Sequence, residues 1–357
     1  MRGHTSCLAA LALSSIQPVT ACLKAAASVP QYVYDYAPLV WLYSEDAYRP
    51  SDIGAQVANT IPEVDWKPVN GTPTPLTLDN LDSLNNLGNT SVYLTTPKGI
   101  AQEPEPTWWF GVTPNAQGRT KNATGCAIVT VDHGGGSLDA FYFYFYAYVS
   151  PTFPCGKGAQ LTDAMYSFNR GDIVLGMMFG DHIGDWEHNM VRFANGTPTA
   201  VWYSQHSYGQ AFTYNAVEKR GKRPYAYSGN GTHANYATAG THDHTIPGVT
   251  FPDGPLEDYT DRGVLWDPTL NAYAYTYDPS SVTFKAAGDY PLGWLNFNGQ
   301  WGDDQPPNEQ TIFGEAKYVA GPNGPKFKDL DRSNVCPASP CIVWPFKEAG
   351  NSSVVIA

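Results

Sequence analysis

Few stretches of this chain repeat their apolar positions at the helical period, and several repeat them at two. Residues 141–146 read Phe-Tyr-Phe-Tyr-Phe-Tyr within an apolar run from 138 to 149. A run that is apolar at both parities predicts a strand buried on both faces. Residues 127–131 predict its neighbour, across a turn of three glycines at 134–136. Residues 184–193 and 199–206 predict a second hairpin, with Asn195-Gly196-Thr197-Pro198 as its loop. Further strand-like runs cover 37–48, 225–237 and 264–282, and a short helix is predicted over 52–59, capped by Ser51. The 60–114 stretch is broken by proline, glycine and asparagine and reads as a long irregular excursion.

These elements predict a mostly β fold: an antiparallel β-sandwich with long loop insertions and a few short helices. Composition agrees, with 13% aromatic residues, 34 glycines and 29 prolines among 357 residues. No composition break divides the chain, so 28–357 reads as one sandwich-type domain, with two β-rich subdomains as the alternative. Residues 1–27 read as a secretory signal peptide, because Arg2 precedes an apolar run at 7–16 that is too short to cross a bilayer. No later segment resembles a membrane helix.

Cleavage after Ala27 would leave four cysteines, and pairing Cys336 with Cys341 and Cys126 with Cys155 is the simplest scheme. Six N-glycosylation sequons, at Asn70, Asn89, Asn122, Asn195, Asn230 and Asn351, fit the same route. A secreted glycoprotein, extracellular or in a cell wall, is therefore expected. The net charge of −12 disfavours nucleic acid and anionic membrane surfaces as partners. It leaves cations and neutral sugars. The basic run 219–223 reads as a solvated loop, and nothing in the pattern selects an oligomeric state.

The chemistry concentrates in residues 179–188, Phe-Gly-Asp-His-Ile-Gly-Asp-Trp-Glu-His, with two histidines and three carboxylates in a chain only 15% charged. In an extended strand Asp185, Glu187 and Asn189 share one face, and Trp186 and His188 share the core face. With a four-residue loop at 195–198, Glu187 would lie directly opposite His206. His182, Asp185 and Glu187 then form a candidate site for a divalent cation, calcium or magnesium by their oxygens, manganese or zinc if imidazoles join. Asp185, Glu187, His206 and His233 are equally the candidates for acid–base catalysis. The later His242-Asp-His244 and the earlier Asp132-His133 carry less signal, and Asp181 stays undecided.

Two resemblances follow from these residues. The blocks at 36–51, Gly184-Asp-Trp-Glu-His188, Tyr203-Ser-Gln-His-Ser207, Gly231-Thr-His-Ala-Asn-Tyr236, Phe297-Asn-Gly-Gln-Trp-Gly302 and Gly321-Pro-Asn-Gly-Pro-Lys326 resemble the vacuolar protein sorting-associated protein 62 family. The central third is also distantly similar to the necrosis- and ethylene-inducing peptide-like proteins, whose heptapeptide is Gly-His-Arg-His-Asp-Trp-Glu. Asp181 and Gly184 depart from that motif, and Asp163 and Asp172 are the candidates for its further aspartate. The second resemblance implies a β-sandwich in which His182, Asp185 and Glu187 hold a divalent cation that engages a glycan or glycolipid head group. A secreted hydrolase of glycosides or phosphodiesters is the rival expectation, and a structural cell-wall glycoprotein the third. Exposed Trp108 and Trp109 would suit sugar stacking.

Overall fold

The computed structural model describes residues 28–150, 180–243, 257–307, 309, 311–312 and 315–346. Its centre is the aromatic strand Ser137–Val149, buried from Leu138 onward. This strand pairs antiparallel with Cys126–Gly134 on one side and with the acidic strand His182–Ala194 on the other. The eight-stranded sheet that results runs Thr283–Ala286, Ala272–Asp278, Cys126–Gly134, Ser137–Val149, His182–Ala194, Thr197–Gln205, Tyr208–Thr213, Val343–Trp344. Its five central strands are antiparallel, as the hairpin pattern predicts. Its margins are not: Ala272–Asp278 and Val343–Trp344 each join by a parallel pairing.

A five-stranded sheet contains Leu39–Leu42 between Arg223–Ser228 and Val264–Trp266, and it covers one face of the large sheet. The core between them takes Tyr142, Tyr144, Tyr146, Val191, Val201 and Tyr203 from the large sheet and Val40, Leu42, Ala226 and Trp266 from the small one. Tyrosine on this face requires partners for its buried hydroxyls. Tyr142 donates to the Val33 carbonyl at 2.6 Å and Tyr144 to Asn189 Oδ1 at 3.0 Å.

Phenylalanine takes the other face. Phe141, Phe143 and Phe145 meet Trp186, Met190, Trp294 and Trp301, along with Leu81, Leu84 and Leu94 from the 60–114 excursion. That excursion includes short 3-10 helices and the small sheet of Ile61–Val64, Lys67–Pro68 and Tyr93–Thr95. The long loop is therefore the third layer that makes the phenylalanine face dry.

Several expectations change. The helix Ile53–Asn59 is capped by Asp52, whose Oδ1 accepts from the Ala55 amide at 2.8 Å. Ser51 instead accepts from the Ala147 amide and so ties this segment to the aromatic strand. Trp109 is not exposed: it is buried and stacked on Tyr148 at 4.6 Å, and Trp108 is half-buried. Within 219–223, Arg223 is no loop cation, since its guanidinium grips both oxygens of Asp267. Cys336 and Cys341 are bonded as expected, with Cα atoms 5.4 Å apart. The 126–155 pairing lies outside the described residues, as do Cys155, Asp163, Asp172, His244, Asn351 and residues 1–27.

Gly184 shows how tightly the acidic strand is seated. Its φ is +69°, and a Cβ there would lie 2.2 Å from the Trp301 carbonyl oxygen. Backbone rather than a movable side chain blocks it, so Gly184→Ala is expected to cost at least about 2 kcal/mol. A denaturant titration checks this, and an unchanged midpoint would refute it.

Candidate functional site

The pairing of aromatic and acidic strands decides where the carboxylates go. Tyr146 lies opposite Asp185, Tyr144 opposite Glu187 and Tyr142 opposite Asn189. All of these side chains therefore face the smaller sheet. Trp186 and His188 take the phenylalanine face, as expected, where Trp186 stacks on Trp294 at 5.4 Å. His188 Nε2 accepts from the Arg332 guanidinium at 3.0 Å. Burial and the neighbouring Arg332 push its pKa well down, so it is a neutral core histidine.

The hairpin differs from the expectation in one decisive residue. Its turn is Asn195-Gly196 alone, both left-handed at φ 50° and 76°, the type I′ geometry that Asn-Gly favours. The register then shifts between Arg192 and Phe193, where Thr199 has no partner. This one-residue bulge breaks the parity that an even loop would keep. Asn189 pairs with Tyr203, which projects Glu187 onto Gln205 rather than His206. Glu187 instead accepts a hydrogen bond from the Ser204 hydroxyl.

His206 lies in the turn after that strand, at φ 53°. Its Nε2 meets Asp258 Oδ2 at 2.7 Å, on the strand Glu257–Thr260. Asp258 also accepts from Thr232 Oγ1 at 2.7 Å and from the Tyr236 hydroxyl. Burial opposes charging of His206, but Asp258, with Glu187 and Asp185 behind it, overcomes that and lifts the pKa to about 9.

His233 does join Asp185. Its Nδ1 is 3.1 Å from Asp185 Oδ2, its ring is stacked on Tyr146 at 3.7 Å, and it is wholly buried. On the far side, Nε2 lies 3.6 Å from Asp46 Oδ2, beyond hydrogen-bonding distance, and has no other partner among the described residues. Asp46 is the residue that sequence reasoning missed. It sits in the loop after Leu39–Leu42 and is held by the amides of Tyr48 and Gly231 at 2.8 and 3.1 Å. The available signal was its place inside the 36–51 block together with the Gly231-Thr-His233 block, since two loops that both resemble one family can meet at one site.

His182, half-buried at the start of the acidic strand, has Nδ1 2.7 Å from the Gly184 carbonyl. Nδ1 therefore carries the proton and Nε2 the lone pair. Burial lowers its pKa against the pull of Asp185. Asp181, next to it, accepts from Tyr148 at 3.2 Å, and burial pushes its pKa up to about 6. Burial, and then Asp185, push Glu187 upward, and burial likewise raises Asp46 against His233 and its amide donors. His133 binds Asp139 at 2.9 Å and stays out of the site, whereas His242, opposite Asp258 in its strand pair, stacks on Tyr236 at 3.7 Å and borders the site there.

The site is thus a set of buried carboxylates, Asp46, Asp185, Glu187 and Asp258, interleaved with His233 and His206 and bordered by His182. Among the described residues no three His, Cys, Asp or Glu side chains converge as a metal-holding group. The donor types nevertheless suit a divalent cation: the carboxylate oxygens of Asp46, Asp185 and Glu187, and the Nε2 lone pair that the His182 tautomer leaves.

A pH test follows from the His206–Asp258 pair. A histidine raised from 6.5 to about 9 adds stability that is complete below 6.5 and is lost as pH rises through 9. Stability is expected to decline across that window, and His206→Gln to flatten the decline. Thermal melts from pH 6 to 10 check it; an equal slope in the variant would refute it.

Comparison with known proteins places the chain. Residues 164–304 match the family model described as vacuolar protein sorting-associated protein 62. Vacuolar protein sorting-associated protein 62 of Saccharomyces cerevisiae is 34% identical over 88% of this chain and 69% of its own length. The putative vacuolar protein sorting-associated protein TDA6 of the same yeast is 38% identical over 86% and 68%. A solved structure described under "Toxin fold as basis for microbial attack and plant defense" aligns over 71% of this chain and 75% of its own, at 12% identity. Its TM-score of 0.28 carries no weight for the fold, which rests on the sheets described above. On the two yeast relatives, the chain belongs to the vacuolar protein sorting-associated protein 62 family.

Proposed function

We propose that this protein is a secreted glycoprotein that binds a divalent cation with His182, Asp185 and Glu187 and, through it, a glycan or glycolipid head group. The observation that carries the reading is electrostatic. Asp46, Asp185 and Glu187 are at most 7% exposed; the ion pairs of Asp46 and Asp185 among the described residues are both to His233, and Glu187 faces Asp185 and His206. Like charges buried together in a poor solvent either take up protons or are offset by a cation. A bound divalent ion supplies that positive charge and offers open positions to sugar or phosphate oxygens. His182 fits the role because its tautomer leaves Nε2 as the ligating nitrogen. His233 orients Asp185 through Nδ1, and the ring of Tyr146 holds His233 in place. Calcium or magnesium suits an oxygen-rich set better than zinc.

Hydrolysis is the second reading, and the His206–Asp258 pair favours it. An aspartate fixing one imidazole nitrogen is the arrangement by which a histidine is oriented as base or acid. In this reading Asp185 or Glu187 is the other proton-transfer group, and His233 assists. The names of the yeast relatives concern vacuolar sorting, and both readings are compatible with a protein handled by the secretory pathway.

Calcium and magnesium titrations of the purified chain by calorimetry separate these. Asp185→Asn and Glu187→Gln are each expected to weaken cation affinity on the order of 10- to 100-fold. Head-group binding on glycan arrays should fall in parallel and be abolished by chelator. Binding that survives both chelation and the double variant would rule the cation reading out. His206→Gln, in contrast, should leave cation affinity within about twofold while removing turnover of glycoside or phosphodiester substrates if the second reading holds.

A further inference from the structure

Away from the site, exposed apolar side chains stand on and beside the hairpin of Ile61–Val64 and Lys67–Pro68. Its two-residue turn is Asp65-Trp66, both left-handed at φ 50° and 60°. Glycine or asparagine normally fills such positions, yet here an indole stands at the tip, 43% exposed. Leu87, 41% exposed, borders the chain that leaves this hairpin. A Cβ on Gly71 would lie 3.7 Å from Leu87 Cδ2, and one on the adjacent Gly88 would lie 2.7 Å from Val64 Cγ2. Leu87 and the hairpin are therefore one surface. A group lying over these side chains would withdraw their apolar area from water.

The residue before Gly71 is Asn70, and Asn70-Gly71-Thr72 is a glycosylation sequon. Asn70 is exposed, and its amide makes no side-chain hydrogen bond among the described residues. The Thr72 hydroxyl donates to the Val69 carbonyl at 2.8 Å. Other sequons are less open. Asn89 Oδ1 accepts from Asn298 at 2.6 Å. Asn195 forms the tight I′ turn, with Oδ1 2.1 Å from where a Gly136 Cβ would be. Asn230 is half-buried, and its sequon threonine, Thr232, is held by Asp258. Asn122 is exposed and lies in a different part of the fold, beside the helix cap at Asp52.

We infer that Asn70 carries an N-linked glycan whose first sugars lie over Leu87 and toward Trp66, so that this surface is covered by the chain's own modification. The inference rests on the secretory reading above. Chemically, Asn70 Nδ2 loses a proton and bonds to the anomeric carbon of a lipid-pyrophosphate-linked oligosaccharide, and the bond from that carbon to the pyrophosphate breaks. The lipid pyrophosphate leaves. A pyranose offers a carbon–hydrogen face to an indole or leucine while its hydroxyls stay in water. The cation site plays no part in this.

The test uses the full chain secreted from a eukaryotic host. Enzymatic deglycosylation in heavy-oxygen water, followed by peptide mass spectrometry, is expected to mark Asn70. Asn70→Gln should raise fluorescence of an apolar-surface dye about threefold, whereas Asn122→Gln should not, and adding Leu87→Ser to Asn70→Gln should reverse the rise. Modification of Asn122 with Asn70 unmarked would overturn the inference. So would an unchanged dye signal in Asn70→Gln. If no sequon is marked, the secretory reading falls with it, whereas cation affinity measured on the same protein would stand untouched.

Discussion

The pairing of Ser137–Val149 with His182–Ala194 is the constraint on which the rest depends. One strand alternates phenylalanine and tyrosine, the other tryptophan or histidine with carboxylate or amide. Aligned residue for residue, they sort chemistry by face. The phenylalanine face becomes a dry core with Trp186, Trp294 and Trp301. The tyrosine face can take polar partners because every second side chain ends in a hydroxyl, and Asp185 and Glu187 fall there. A slip of one residue would bury both carboxylates against Trp294 and expose Trp186 to the other layer.

That sorting explains how the site can be both buried and polar. Asp185 and Glu187 come from the rigid centre of the large sheet and His206 from the turn after its next strand, while Asp46 and His233 come from loops of the smaller sheet and Asp258 from a separate two-stranded pair. Side chains on sheet strands set position, and loops supply the groups that can shift to meet a ligand. The short helix at Ile53–Asn59 and the excursion after it take no part in the chemistry. Their work is to close the opposite face.

Much of this was legible in the sequence. Alternation at 141–146 and 184–193 gave strands, faces and the split between Asp185/Glu187 and Trp186/His188, because a pleated strand allows no other arrangement. The position of His206 was not legible. Its placement hinged on a bulge at Thr199, a single extra residue whose only local sign is a threonine after proline. Asp46 was missed for a different reason: it is 139 residues from Asp185 in sequence, and only the approach of two loops through His233 brings it near. Parallel margins were also invisible, since a parallel pair carries no turn signal between its strands.

His206 and His233 share one more property. Both hold left-handed backbone, at φ 53° and 57°, which a residue with a Cβ adopts at a penalty of roughly 1 kcal/mol and glycine adopts freely. At both positions the side chain outweighs that penalty, since Asp258 holds His206 while Asp185 and the Tyr146 ring hold His233. Glycine there would relax the backbone yet leave a buried carboxylate without its partner, so a change that improves local geometry would lower the stability of the whole chain.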